Sequence, residues 1–128
     1  MFTLLDINFN KIMEVAMSTN MPEAVEIFME TMNTAETEKL DSCLASEAVL
    51  FDPGENNEIS GINAIKAFVA DSKEKFDLCT TVIDAISTAE STKVITLTKG
   101  NFPGSPQKFS YEFIVKHGLI QSINILPA

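Results

Sequence analysis

"KFSYEFIVKHGLIQSINIL", Lys108 to Leu126, is the stretch whose reading decides the fold. Its first half alternates: Phe109, Tyr111, Phe113 and Val115 share one face, while Ser110, Glu112 and Lys116 mostly take the other. A side-chain period of two marks a strand with one buried face. Lys116-His117-Gly118 reads as a hairpin turn, and "LIQSINIL" as the closing strand. Working back from there, "LCTTVIDAIST" and "KVITLTKGNF" are rich in β-branched residues and read as two more strands. Glu90-Ser91-Thr92 between them looks like a turn, and "NFPGSPQ" with its prolines and glycine is a second.

Further upstream the period changes. Val25, Phe28, Met29 and Met32 fall at i, i+3, i+4 and i+7, one face of a helix that opens at Pro22. Pro22 suits the first turn, and Glu23 and Glu26 suit its positive end. Asn33-Thr34 breaks the pattern, and a second short helix follows with Leu40, Cys43 and Leu44 on one side. "AVLFD", Ala48 to Asp52, reads as a strand, and Pro53 to Ser60 as a polar loop. Gly61 opens a third helix, with Ile62, Ile65, Phe68 and Val69 on its apolar face. Helices that come first, then a run of antiparallel strands, argue for an α+β fold. A curved sheet wrapped against helices can leave a cavity between the layers, where ligands commonly bind.

Composition narrows the function. The chain has 128 residues, 45% of them hydrophobic, which suits one domain with one core. We read residues 1–20 as an N-terminal extension or extra helix and 21–128 as a single domain. The opening residues lack the basic start and cleavage site of a signal peptide; they read as an arm, or as an over-long start with Met17 the natural one. The net charge is −9, and all nine basic residues are lysine. This argues against nucleic acid and against an anionic membrane as partners. It also excludes chemistry that needs an arginine fork. Cys43 and Cys79 have no metal-like spacing and read as two reduced, buried thiols of a cytoplasmic protein. The only histidine, His117, sits in a turn, so neither a two-histidine metal site nor a Ser-His or Cys-His pair is expected.

"VLFDPGENNEISG", Val49 to Gly61, holds the residue of most chemical interest. Asp52 closes an apolar strand just where Pro53-Gly54 turns the chain. Asp before Pro-Gly is common at turns, so Asp52 reads either as a turn residue or as a carboxylate facing a pocket. Beside Leu50 and phenylalanines its charged form would be disfavoured and its pKa raised, which suits a base for a proton next to a carbonyl.

Four pieces, "MNTAETEKLDSCLASEAVLFDPG", "SGINAIKAFV", "GNFPGSP" and "FSYEFIVKHGLIQSINI", in this order and spacing, resemble the NTF2-like superfamily, in its SnoaL-like polyketide cyclase and ketosteroid isomerase-like branch. The resemblance runs from Pro22 to the C-terminus. It implies a cone of three helices on a strongly curved, mostly antiparallel sheet around an apolar pocket, and a homodimer formed through the sheet. It also implies that Asp52 corresponds to the general base of the isomerases. Two positions depart from their pattern. Phe28 stands where those enzymes carry an oxyanion-hole tyrosine, and Tyr111, within one residue of alignment, where they carry a protonated aspartic acid. A single phenol can stabilise an enolate, although loss of one donor typically costs about 10²–10³ in rate. Epoxide hydrolases of this fold need an arginine, and its dehydratases need pocket histidines; this chain has neither.

The reading that results is a small-molecule pocket protein: a cofactor-independent isomerase or cyclase acting on an apolar carbonyl compound, without metal. Asp52 and Tyr111 are the catalytic candidates, and Phe28, Met32, Leu50, Phe68, Phe102, Phe109 and Phe113 the pocket wall. The alternative is a non-catalytic ligand-binding or dimerisation module of the same fold.

Overall fold

The structure is a computed structural model that describes residues 21–52, 57–89 and 91–128. The N-terminal extension and the Pro53-Gly54 turn read from the sequence lie outside the described residues.

Helix α1 spans Glu23–Thr34. The Pro22 carbonyl accepts from the amides of Val25 and Glu26 at 3.0 and 3.1 Å, and Glu23 and Glu26 occupy the first turn. Its buried stripe is Ala24, Val25, Phe28, Met29, Thr31 and Met32. Ala35, in the left-handed region, stops the helix by donating its amide to the Thr31 carbonyl. Asn33 therefore lies inside α1 and does not break it. Its amide group leaves the helix to bond both the N–H and the carbonyl of Thr80, at 2.7 and 2.9 Å.

The second helix read from the sequence is a 3-10 turn, Thr37–Ser42, that buries Leu40. Cys43 follows it, and Leu44 already belongs to strand β1, Leu44–Asp52, four residues earlier than the sequence reading. The loop after β1 is also shorter than expected, because Asn57–Ser60 form strand β2, paired antiparallel with β1. Gly61, at φ 94°, turns the chain into helix α2, Ile62–Phe76; its amide donates to the Ala48 carbonyl at 2.7 Å. Strands β3 (Cys79–Ser87), β4 (Ser91–Lys99), β5 (Gln107–Lys116) and β6 (Leu119–Pro127) complete the chain. Ser91 and Thr92, read as part of a turn, open β4; Thr88 and Ser91 close the hairpin by a 2.8 Å backbone bond.

The six strands form one open sheet in the order β2-β1-β6-β5-β4-β3. Every pair is antiparallel except β1–β6, which is parallel. This pair joins the early strand to the late hairpin and closes the α+β layout. Register shifts at Leu44/Val49, Val82/Asp84 and Ile114/Val115 interrupt the ladders. Such shifts bend strands and add twist.

The helices cover one face: α1 packs against β3 and β6, and α2 against β1 and β2. Beneath them lies a cross-strand row of Leu50, Ile123, Phe113 and Thr92, with Phe28 edge-on to Phe113 at 5.6 Å between centroids. Cys43 is buried in this core, and burial pushes its thiol up to about 11. Cys79 is exposed, contrary to the sequence reading, because it alternates with the buried Thr80 and so points to the sheet face away from the helices. Among the described residues no helix is long and apolar enough to cross a membrane.

Candidate active site

One row along from that core, the sheet and helices part around a cavity of about 140 Å³. The sheet supplies Asp52 from β1, Ile125 from β6, Phe109 and Tyr111 from β5 and Thr98 from β4. The other side is Met32 of α1, Phe68, Ser72 and Phe76 of α2, Leu78 just beyond it, and Phe102 of the β4–β5 turn.

Strand register explains why the acid and the phenol meet here. Phe51 pairs with Asn124, so Asp52 comes level with Ile125, and Ile125 pairs with Tyr111. Asp52 and Tyr111 thus stand on one face, two strands apart, with Ile125 between them. Tyr111 is 3% exposed and stacks on Phe113 at 6.2 Å. Burial raises its phenol well above the ordinary tyrosine value, and the Asp52 carboxylate raises it further. Tyr111 therefore remains a protonated donor at any physiological pH. A carboxylate and a neutral phenol on one wall of an apolar cavity are groups that can share proton transfer beside a carbonyl.

Of the residues singled out from sequence, Asp52, Tyr111, Met32, Phe68, Phe102 and Phe109 line the cavity. Phe28, Leu50 and Phe113 do not: all three are fully buried in the core. The reason is depth along the element. Leu50 and Phe113 are two residues from Asp52 and Tyr111 on the same strand faces, and Phe28 is one turn before Met32. Each points the right way but lies one row too deep.

Five lining residues went unread: Ser72, Phe76, Leu78, Thr98 and Ile125. Ser72 and Phe76 continue the i, i+4, i+8 stripe that starts at Phe68, so helical spacing carried a signal for them. Thr98 and Ile125 follow from strand alternation with Thr96 and Ile123. Leu78 follows the end of α2, and no periodicity points to it. The Thr98 hydroxyl pairs with that of Thr96 at 3.1 Å and is the third oxygen-bearing side chain on the sheet wall. Among the described residues no group of three or more His, Cys, Asp or Glu could hold a metal ion.

Residues 25–119 match the SnoaL-like domain family, and the chain belongs to it. Among solved structures, a proposed polyketide cyclase of Sinorhizobium meliloti is similar, with 25% identity and a TM-score of 0.79 over 84% of this chain and 97% of that one. A proposed ketosteroid isomerase of Kribbella flavida shares 16% identity at a TM-score of 0.72, over 84% and 76% of the two chains. An NTF2-like protein of unknown function from Cytophaga hutchinsonii shares 15% at 0.69, over 83% and 88%. The fold is thus the NTF2-like one. No protein of curated function matches the chain by sequence.

Proposed function

We propose that this SnoaL-like domain is a cofactor-independent isomerase or cyclase of an apolar carbonyl compound. The observation that carries the reading is the pair Asp52 and Tyr111 on one wall of an apolar cavity, the phenol buried and protonated. Asp52 takes a proton from the carbon next to the carbonyl. The C–H electron pair moves into the enolate, and the Tyr111 hydroxyl donates a hydrogen bond to its oxygen. The proton then returns to another carbon for isomerisation, or the enolate carbon closes a ring; in neither case is an electron acceptor needed. The low local dielectric strengthens the bond to the developing oxyanion.

A second reading keeps the pocket as a ligand site without chemistry. The place of Phe28 favours it: the residue carries no hydroxyl and lies one row below the cavity wall, so it gives the oxyanion no second donor. Hydrogen–deuterium exchange beside the carbonyl of small cyclic ketones and enones, followed by NMR, separates the two. The enzyme reading expects Asp52→Asn to abolish catalysed exchange, and Tyr111→Phe to slow it by about 10²–10³, with phenol binding retained in Asp52→Asn. A parent protein that binds phenol yet catalyses no exchange in any of these compounds supports the module.

The proposal extends to assembly and location. The row Glu58–Phe51–Asn124–Glu112–Lys93–Ile86 crosses the sheet on the face away from the helices. The proposed homodimer through the sheet would cover this face, on which Phe51 and Ile86, four strands apart, are 40% and 59% exposed. Two free cysteines suit a reducing, cytoplasmic setting.

A further inference from the structure

We infer that the ligand of this cavity is a single-ring compound, and that Phe102 at the β4–β5 turn sets the limit. The inference rests on the reading of the cavity as the ligand site, whether or not chemistry follows. A cavity of about 150 Å³ lined by apolar side chains holds one benzene, and this one measures about 140 Å³. A fused polycycle exceeds that volume.

The wall formed by Phe102 also stands one ring away from Tyr111. Tyr111 and Phe109 are two residues apart on β5, about 7 Å along the strand. That is close to the span of one oxygen-bearing ring. A ring whose oxygen meets Tyr111 therefore has its far edge at Phe109 and at Phe102, which packs on Phe109 at 6.4 Å between centroids. Phe102 also meets Phe76 edge-on at 6.3 Å, so it bridges the end of α2 and strand β5.

The turn that carries Phe102 is fixed through its backbone. The Asn101 amide donates to the Phe76 carbonyl at 2.7 Å, and the Gly100 amide donates to Ser105 Oγ at 2.9 Å. At Gly100 the contact is so close that an added Cβ would lie 2.8 Å from both the Phe76 carbonyl oxygen and Leu78 Cδ2, and 3.2 Å from Phe102 Cδ2. Phe102 is thus gripped by backbone contact at its base and by two rings at its tip. It acts as a stop for the ligand.

Phenol and 2-naphthol test this. An unrestricted apolar pocket prefers the naphthol, which buries more carbon, so preference for the smaller ring is diagnostic. The full chain, labelled at its methionine methyls, is titrated with each; the Met32 methyl lines the cavity and reports occupancy, its signal assigned with Met32→Leu. The parent is expected to bind phenol at least about tenfold more tightly than 2-naphthol. Phe102→Ala is expected to bring the two within about threefold by tightening the naphthol. Phe102 is half-buried, and Phe102→Leu supplies a milder second variant with an intermediate ratio. Naphthol binding as tight as phenol in the parent overturns the size limit and leaves the ligand site standing. An unchanged ratio in both variants overturns the part given to Phe102. A parent that binds neither overturns the ligand-site reading, and the limit with it.

Discussion

Tyr111 is the only tyrosine in the chain, and there is no tryptophan, so its ionisation can be watched in isolation. The unfolded chain ionises its tyrosine near pH 10, while burial and the Asp52 charge hold the folded phenol neutral to higher pH. Below about pH 10 the phenol is neutral in both states and gives no pH dependence. Above it the folded state binds more protons than the unfolded, so stability falls as pH rises, by at most about 1.4 kcal/mol per unit from this group. Urea melts at pH 8 and pH 11 are expected to show this fall in the parent and a smaller one in Tyr111→Phe; equal falls would mean that the phenol reaches solvent. Absorbance titration of tyrosinate gives an independent check. At neutral pH the phenol is a hydrogen-bond donor, which is the part the proposed chemistry asks of it, and burial extends that state to higher pH.

At the scale of elements, two contacts fix how the helices sit on the sheet. Asn33 leaves the buried side of α1 to clamp both backbone groups of Thr80, tying the helix to the edge strand β3. At the other end Gly100 lets the β4–β5 turn touch the end of α2. Gly100→Ala must move the turn away from both the Phe76 carbonyl and the Leu78 side chain, and overpacking of this kind costs about 1–3 kcal/mol. Chemical denaturation is expected to show that loss, and the Met32 methyl shift should move because Phe102 moves with the turn. A neutral Gly100→Ala with an unshifted methyl would remove the argument that the turn is locked. Sequence reading reached these elements by period alone. It could follow Phe68 along α2 but not Leu78, because a residue beyond a helix end has no period to follow. It also missed β2 and the first residues of β1: "NEIS" is short and polar, and it becomes a strand only because β1 lies beside it.

For the whole molecule, charge and shape pull in opposite directions. The outer sheet face leaves Phe51 and Ile86 exposed, and the proposed pairing of two copies would cover them. Each copy carries a net charge of −9, which opposes it. Salt screens the repulsion, with a Debye length of about 10 Å at 0.1 M, and does not weaken apolar contact. Sedimentation is therefore expected to show a dimer whose fraction rises with salt, and Phe51→Asp is expected to sediment as a monomer with its phenol site intact. A parent that stays monomeric at high salt and high concentration would remove the dimer from the proposal.

The α+β layout, the apolar stripes of α1 and α2 and the shared face of Phe109, Tyr111 and Phe113 were determined by the sequence alone. The reason is that side-chain periods of 2 and 3.6 are local properties. Depth was not legible. Leu50 and Phe113 share their strand faces with Asp52 and Tyr111, and only the position of α1 above the sheet makes one row core and the next row cavity wall. The parallel pairing of β1 with β6, the contact of the turn at Gly100 with the end of α2 and the volume left between the layers were likewise decided by the tertiary structure. Each depends on residues far apart in sequence meeting at a fixed distance, and no local pattern encodes a distance.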